Sequence, residues 1–272
     1  MSNSGPSASP LMTRYVVQSS DVLDHLVIDV KEEGSDKVLW FKERFLDDEE
    51  IVERLVHKES GLIRWTMHRP RSGWYIRIRS PTFPPGVYIP LTPAPPAGAH
   101  PPGSLLFSSR TNAFIPNTPS LMHSYPPPPT SPPGQENGRI LIETITQFVL
   151  TPHQLDGNKS EELSFFHKAL NTIRKNSAGP DYSFTLRRIA PISTTSQAPP
   201  PTTTVTSEAP SPLVTFTDRT PTMTVHAITG LLIVSQFEEQ MLGIESSFWI
   251  AVALTYLEFL QEKESYLAAL SD

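Results

Sequence analysis

The chain contains no cysteine, which removes disulfides, thiolate nucleophiles and cysteine metal ligands together. Nothing in the composition therefore calls for an oxidising compartment. Long apolar runs are missing too: the two longest candidates, residues 227–237 and 248–257, stop at Glu238 and Glu258. Both fall short of the roughly 20 residues that a membrane-spanning helix needs. The N-terminal stretch MSNSGPSASPLMTRY has neither the charged start and apolar centre of a signal peptide nor the Arg-rich pattern of a transit peptide. The expectation is a soluble intracellular protein, cytoplasmic or nuclear. Recognisable catalytic signatures are absent as well: there is no Walker loop, GxGxxG, HExxH or GxSxG, and the histidines are scattered without metal-ligand spacing. No metal or cofactor is expected.

Proline, by contrast, is abundant, 29 of 272 residues, about twice the usual share of roughly 5%. It is concentrated in segments such as PAPPAGAHPPG and YPPPPTSPPG, which favour a polyproline helix and cannot bury a core. The organisation expected is a disordered N-terminus, residues 1–11, followed by a single domain over residues 12–270. Pro-rich insertions interrupt that domain at about residues 92–138 and 191–212.

Residues 25–32 and 182–189 alternate apolar and polar residues with the period of two that marks a strand, residues 139–150 read as a strand from their β-branched content, and residues 14–18, 37–41, 213–217 and 223–226 read as further short strands. Residues 87–89, bracketed by prolines, read as an edge strand. Asp47-Asp48-Glu49-Glu50 resembles an acidic helix start, and Ile51, Val52, Leu55 and Val56 then form a stripe that ends at Gly61. Helices are also expected over residues 158–175 and 228–242. A last helix is capped by Ser246 or Ser247 and runs to about Leu270. Residues 248–252, FWIAV, are apolar all round, which points to burial under the sheet or against a partner. These elements predict an α+β fold: a mostly antiparallel sheet packed by about four helices, with two long Pro/Ser/Thr-rich disordered insertions.

The stretch 61–90 stands apart. It carries Arg64, Arg69, Arg71, Arg77 and Arg79 and no acid, in a protein of formal net charge -6. Ile63, Trp65 and Met67 alternate with Arg64, Thr66 and His68, and Trp74, Ile76 and Ile78 alternate with Tyr75, Arg77 and Arg79. The pattern predicts a hairpin with one apolar face and one basic face, Arg64 standing opposite Arg79. Arg64, His68, Tyr75, Arg77 and Arg79 thus form a candidate site for an anion or an acidic partner, unless nearby acids of the same chain neutralise it. A second candidate is Tyr125 with Pro126, Pro128 and Pro129, an aromatic before a polyproline helix, the kind of ligand that aromatic-lined grooves recognise.

The function these features point to is a non-enzymatic interaction or adaptor protein with a protein partner. Two alternatives remain in view. One is nucleic-acid or anionic-lipid binding through the arginines, with Trp74 or Tyr75 stacking on bases, which the net acidity disfavours. The other is an enzyme without a recognisable motif.

Overall fold

The computed structural model describes residues 12–19, 27–71, 75–95, 100–112, 135–136, 139–140, 143–153, 181–189, 211–220 and 228–270. The strands run in chain order: β1 (Met12–Ser19), β2 (Ile28–Glu32), β3 (Val38–Leu46), β4 (Glu50–His57), β5 (Ile63–Pro70), β6 (Ile76–Arg79), β7 (Ile89–Pro93) and β8 (Leu105–Asn112). After the short pair β9 (Gln135–Glu136) and β10 (Arg139–Ile140) come β11 (Glu143–Pro152), β12 (Phe184–Arg188), β13 (Val214–Asp218) and β14 (Thr229–Ser235). Two helices follow, α1 (Gln236–Leu242) and α2 (Ser246–Leu270).

Twelve of the strands close into one barrel in the order β1-β14-β13-β12-β11-β8-β7-β6-β5-β4-β3-β2. Every pairing around it is antiparallel. Closure leaves the barrel no sheet edge. Alternation sends Tyr15, Val17, Val30, Leu55, Trp65, Met67, Ile76, Ile78, Ile89, Leu91, Phe107, Phe148, Phe184, Phe216 and Leu232 to the inside, where all are buried.

Eight strands make a barrel whose lumen side chains alone can fill, and larger barrels leave room for more. Here α2 takes that room. From Ser247 to Phe259 the helix has no exposed face, a length of about 20 Å. Phe248 packs on Trp65 of β5 and Phe107 of β8. Trp249 meets Phe148 of β11, and Tyr256 meets Phe184 of β12. Contacts with strands on several sides place the helix inside the barrel. Two hydrogen bonds set its height: the Trp65 indole donates to Ser247 Oγ at 2.9 Å, and the Tyr256 hydroxyl donates to the Gly103 carbonyl at 2.7 Å. The entry is a sharp corner of 110° between α1 and α2. Gly243, at φ 69°, closes α1 in the left-handed conformation that glycine adopts without strain.

The fold is therefore a closed barrel around a helix, and the expectation of a sheet packed by about four helices is corrected. Two helices of the sequence reading are strands in whole or part. Residues 50–57 form β4, because Glu53 points inward with Leu55 and is neutralised there by Lys42 and Arg44. A charge at an inward position disturbs the period-two pattern and left an apparent helical stripe. Asp47, Asp48 and Glu49 form the connection to β3 rather than a helix cap. Residues 229–235 form β14, because its outward Leu231 is buried as well as its inward Leu232 and Val234. An apolar run covered on both faces has no periodicity that separates strand from helix. Two smaller corrections follow from closure: β7 is paired on both sides by β6 and β8, and β8 lies within the range assigned to the first Pro-rich insertion. The helix over 158–175, the strand over 223–226 and residues 1–11 lie outside the described residues.

Gly230 tests the packing of this interior. A Cβ there would stand 2.2 Å from Phe216 Cζ and 2.9 Å from the Thr217 carbonyl oxygen. Gly230→Ala is expected to cost about 1–3 kcal/mol by overpacking, measured by urea denaturation, and Phe216→Leu in the same chain is expected to recover part of the loss.

Candidate interaction surface

Two constellations gather the charged side chains, one inside the barrel and one on its wall. The inner one lies toward the C-terminal end of the buried part of α2. Glu258 and Glu262 share a helix face at a spacing of four. Lys42 and Arg44 reach Glu258 from β3, and Arg69 reaches it from β5. Lys42 Nζ also lies 2.9 Å from Glu53, Arg44 Nε lies 3.1 Å from Glu53, and Arg69 continues to Glu262. Three cations thus meet three carboxylates, with Lys42, Glu53, Arg69 and Glu258 nearly sealed from solvent. Burial disfavours a charged Glu53, but the attraction of Lys42, Arg44 and Arg69 outweighs it and holds the carboxyl below its ordinary range. A cavity of about 220 Å³ opens beside the cluster, lined by Ser19, Lys42, Arg44, Glu258 and Glu262 among others. Its charged groups already satisfy one another.

The outer constellation lies on the wall formed by β4 to β7. His68 and Arg77 are cross-strand partners, as are Thr66 and Arg79. Glu50, at the start of β4, accepts hydrogen bonds from His68 Nδ1 at 3.0 Å, from the Tyr75 hydroxyl and, at 3.5 Å, from Arg77. The hydrogen bond from Tyr75, followed by the hydrogen bond and charge of His68 and the charge of Arg77, holds the Glu50 carboxyl below its usual range against the opposing effect of burial. The Arg77 guanidinium lies over the Tyr75 ring at 3.9 Å and over Tyr88 at 4.8 Å, and Arg79 approaches Tyr88 at 5.3 Å. His68 meets the edge of the same ring.

Of the residues singled out from sequence, His68, Tyr75, Arg77 and Arg79 come together. Arg64 does not join them. It sits near the other end of β5, where its field acts on Glu245 before α2. The hairpin pairs Thr66, not Arg64, with Arg79: a slip of two residues keeps the basic face intact. Arg69, counted with the basic stretch, faces inward to the helix. Trp74, Tyr125, Pro126, Pro128 and Pro129 lie outside the described residues. Glu50 and Tyr88 complete the patch and were missed, Glu50 because β4 was read as a helix.

Thr66 Oγ1, His68 Nε2, His68 Nδ1 and Glu50 form a row with both separations 3.0 Å, the geometry of a hydroxyl nucleophile, a base and its orienting acid. The row lies flat on the barrel wall, and the cavity beside the inner cluster is lined by none of the three residues. It reads as a hydrogen-bond ladder that fixes His68. Among the described residues no group of His, Cys, Asp and Glu has metal-binding spacing.

Comparisons with protein-family models, with curated proteins and with solved structures found no match. The class is thus given by the fold itself: an antiparallel barrel whose lumen is occupied by the chain's own helix.

Glu258 is the hub of the inner cluster. Glu258→Ala strands buried cations and is expected to cost about 3–5 kcal/mol in urea denaturation. Lys42→Met combined with Glu53→Leu leaves Arg44 and Arg69 facing Glu258 and Glu262, and is expected to be less destabilising than either single substitution.

Proposed function

We propose that the protein is a non-enzymatic interaction protein, a rigid barrel that presents its outer wall to a protein partner. The observation that carries this reading is the filled lumen: α2 occupies the space in which other barrels hold a ligand or a channel. Recognition is left to the outside, where the β4–β7 wall combines fixed arginines with tyrosines, residue types enriched where proteins meet.

The polarity of the wall supports a water-facing barrel. Arg14, Lys31, Arg54, Arg77 and Arg79 alternate outward along their strands, and the inward positions are mostly apolar apart from the paired charges of Lys42, Arg44, Glu53 and Arg69. A lipid-facing barrel has the reverse arrangement, an apolar outside and a polar lumen. Among the described residues no single helix is long and apolar enough to cross a membrane. An aqueous compartment inside the cell is the location we assign with this function.

The test is quantitative affinity purification of the full chain from its own cells at moderate salt. Comparison is with Arg77→Ala/Arg79→Ala and with Arg14→Ala, a control whose arginine pairs with Glu33 on the β1 side. The reading expects a defined set of proteins, reduced roughly tenfold by the double substitution and unchanged in the control. Recovery of the chain without stoichiometric protein would sink it.

A further inference from the structure

We infer that the β4–β7 wall receives an acidic segment of the partner, bound in extended form with carboxylates at alternate positions. The inference rests on the interaction reading above and names the chemistry of the occupant.

Charge is the first argument. Arg77 and Arg79 stand on one strand, and Glu50 is the one carboxylate within hydrogen-bond reach of them among the described residues. Glu50 is already shared with His68 and Tyr75, and its contact to Arg77 is long. The Arg77 side chain remains about one-third exposed, so its outer guanidinium nitrogens stay within reach of a ligand. Arg79 donates to a backbone carbonyl, that of Phe83, at 2.9 Å. Two guanidinium groups therefore keep donors to spare, and a carboxylate is the acceptor whose geometry matches their planar fork.

The second argument is preorganisation. Stacking on Tyr75 and Tyr88 holds the arginines in place before any ligand arrives, which lowers the entropy lost on binding. Residues two apart on a strand lie about 7 Å from each other. Alternate side chains of an extended peptide have the same spacing, so two carboxylates can meet the two arginines together.

The same stacking disfavours the other anions. Single-stranded nucleic acid needs open aromatic faces for its bases, and here a guanidinium lies over the ring of each tyrosine. Two arginines fall short of the cluster of about 4–8 basic residues that an anionic membrane surface recruits.

Glu50 then acts as a built-in competitor, a carboxylate already placed at the edge of the site. Its removal separates a binding role from a purely structural one. Glu50→Gln keeps an acceptor for Tyr75 but deletes the competing charge.

The experiment is fluorescence anisotropy with the full chain and a labelled peptide of alternating glutamate and serine, at low and moderate salt. Binding is expected to weaken with salt, to fall roughly tenfold in Arg77→Ala/Arg79→Ala, to tighten in Glu50→Gln and to stay unchanged in Arg14→Ala. Thermal denaturation of each variant confirms that the barrel is folded. Peptide binding that ignores the double substitution overturns the inference, as does weakening by Glu50→Gln. So does preference, at equal salt and with the same arginine dependence, for a uridine oligonucleotide or for phosphoinositide vesicles. If the peptide fails while partner retention in cells still depends on Arg77 and Arg79, the acidic occupant is wrong and the interaction reading stands. If both fail, both are wrong.

Discussion

The structure depends on one packing constraint: a barrel of twelve strands is too wide for its own side chains to fill, and α2 supplies the missing volume. Everything that is unusual in the composition of the C-terminal region follows from it. A helix surrounded by sheet needs apolar residues on every side, which is why residues 248–257 show no amphipathic stripe. The walls answer with aromatic side chains at the level of the helix, Trp65, Phe107, Phe148 and Phe184. The chemistry of the interior is in this sense fully engaged in holding the protein together. The Trp249 indole N–H even goes without an acceptor, a cost of about 1–3 kcal/mol that the surrounding ring contacts offset.

The ionic cluster adds direction to that packing. Apolar contacts alone allow a smooth helix to slide or turn within a barrel. Glu258 and Glu262 stop it, because they meet Arg69 from β5, with Lys42 and Arg44 of β3 also at Glu258, at a single height and rotation. A buried cluster of this kind adds little net stability over an apolar one. Its effect is to make other registers of the helix costly, since each would bury unpaired charge.

Sequence periodicity carried the reading as far as each face had one character. The hairpin of β5 and β6 was legible, with its buried Trp65, Met67, Ile76 and Ile78, because a period of two survives even a two-residue error in register. The corner at Gly243 and the start of α2 were legible from local capping chemistry. β4 was not, since Glu53 occupies an inward position that only Lys42 and Arg44, on another strand, make tolerable. β14 was not, since Leu231 is covered on the outside. Closure was beyond reach for a related reason: it depends on β1 meeting β14 across the whole chain, and no local pattern records a partner that distant. The candidate surface was legible in His68, Tyr75, Arg77 and Arg79, which share one short segment. Glu50 and Tyr88, brought in by neighbouring strands, were not.

With the lumen filled, the outer wall is the contact surface we propose, so the account stands on α2 being an integral part of the barrel. Hydrogen–deuterium exchange of the intact protein, resolved along α2 and the strands, measures this directly. The account predicts that the amides of residues 248–259 exchange only through global unfolding, together with those of β5, β8, β11 and β12. Faster exchange of these helix amides while the strands stay protected would mean that α2 leaves the barrel on its own, and would contradict the account.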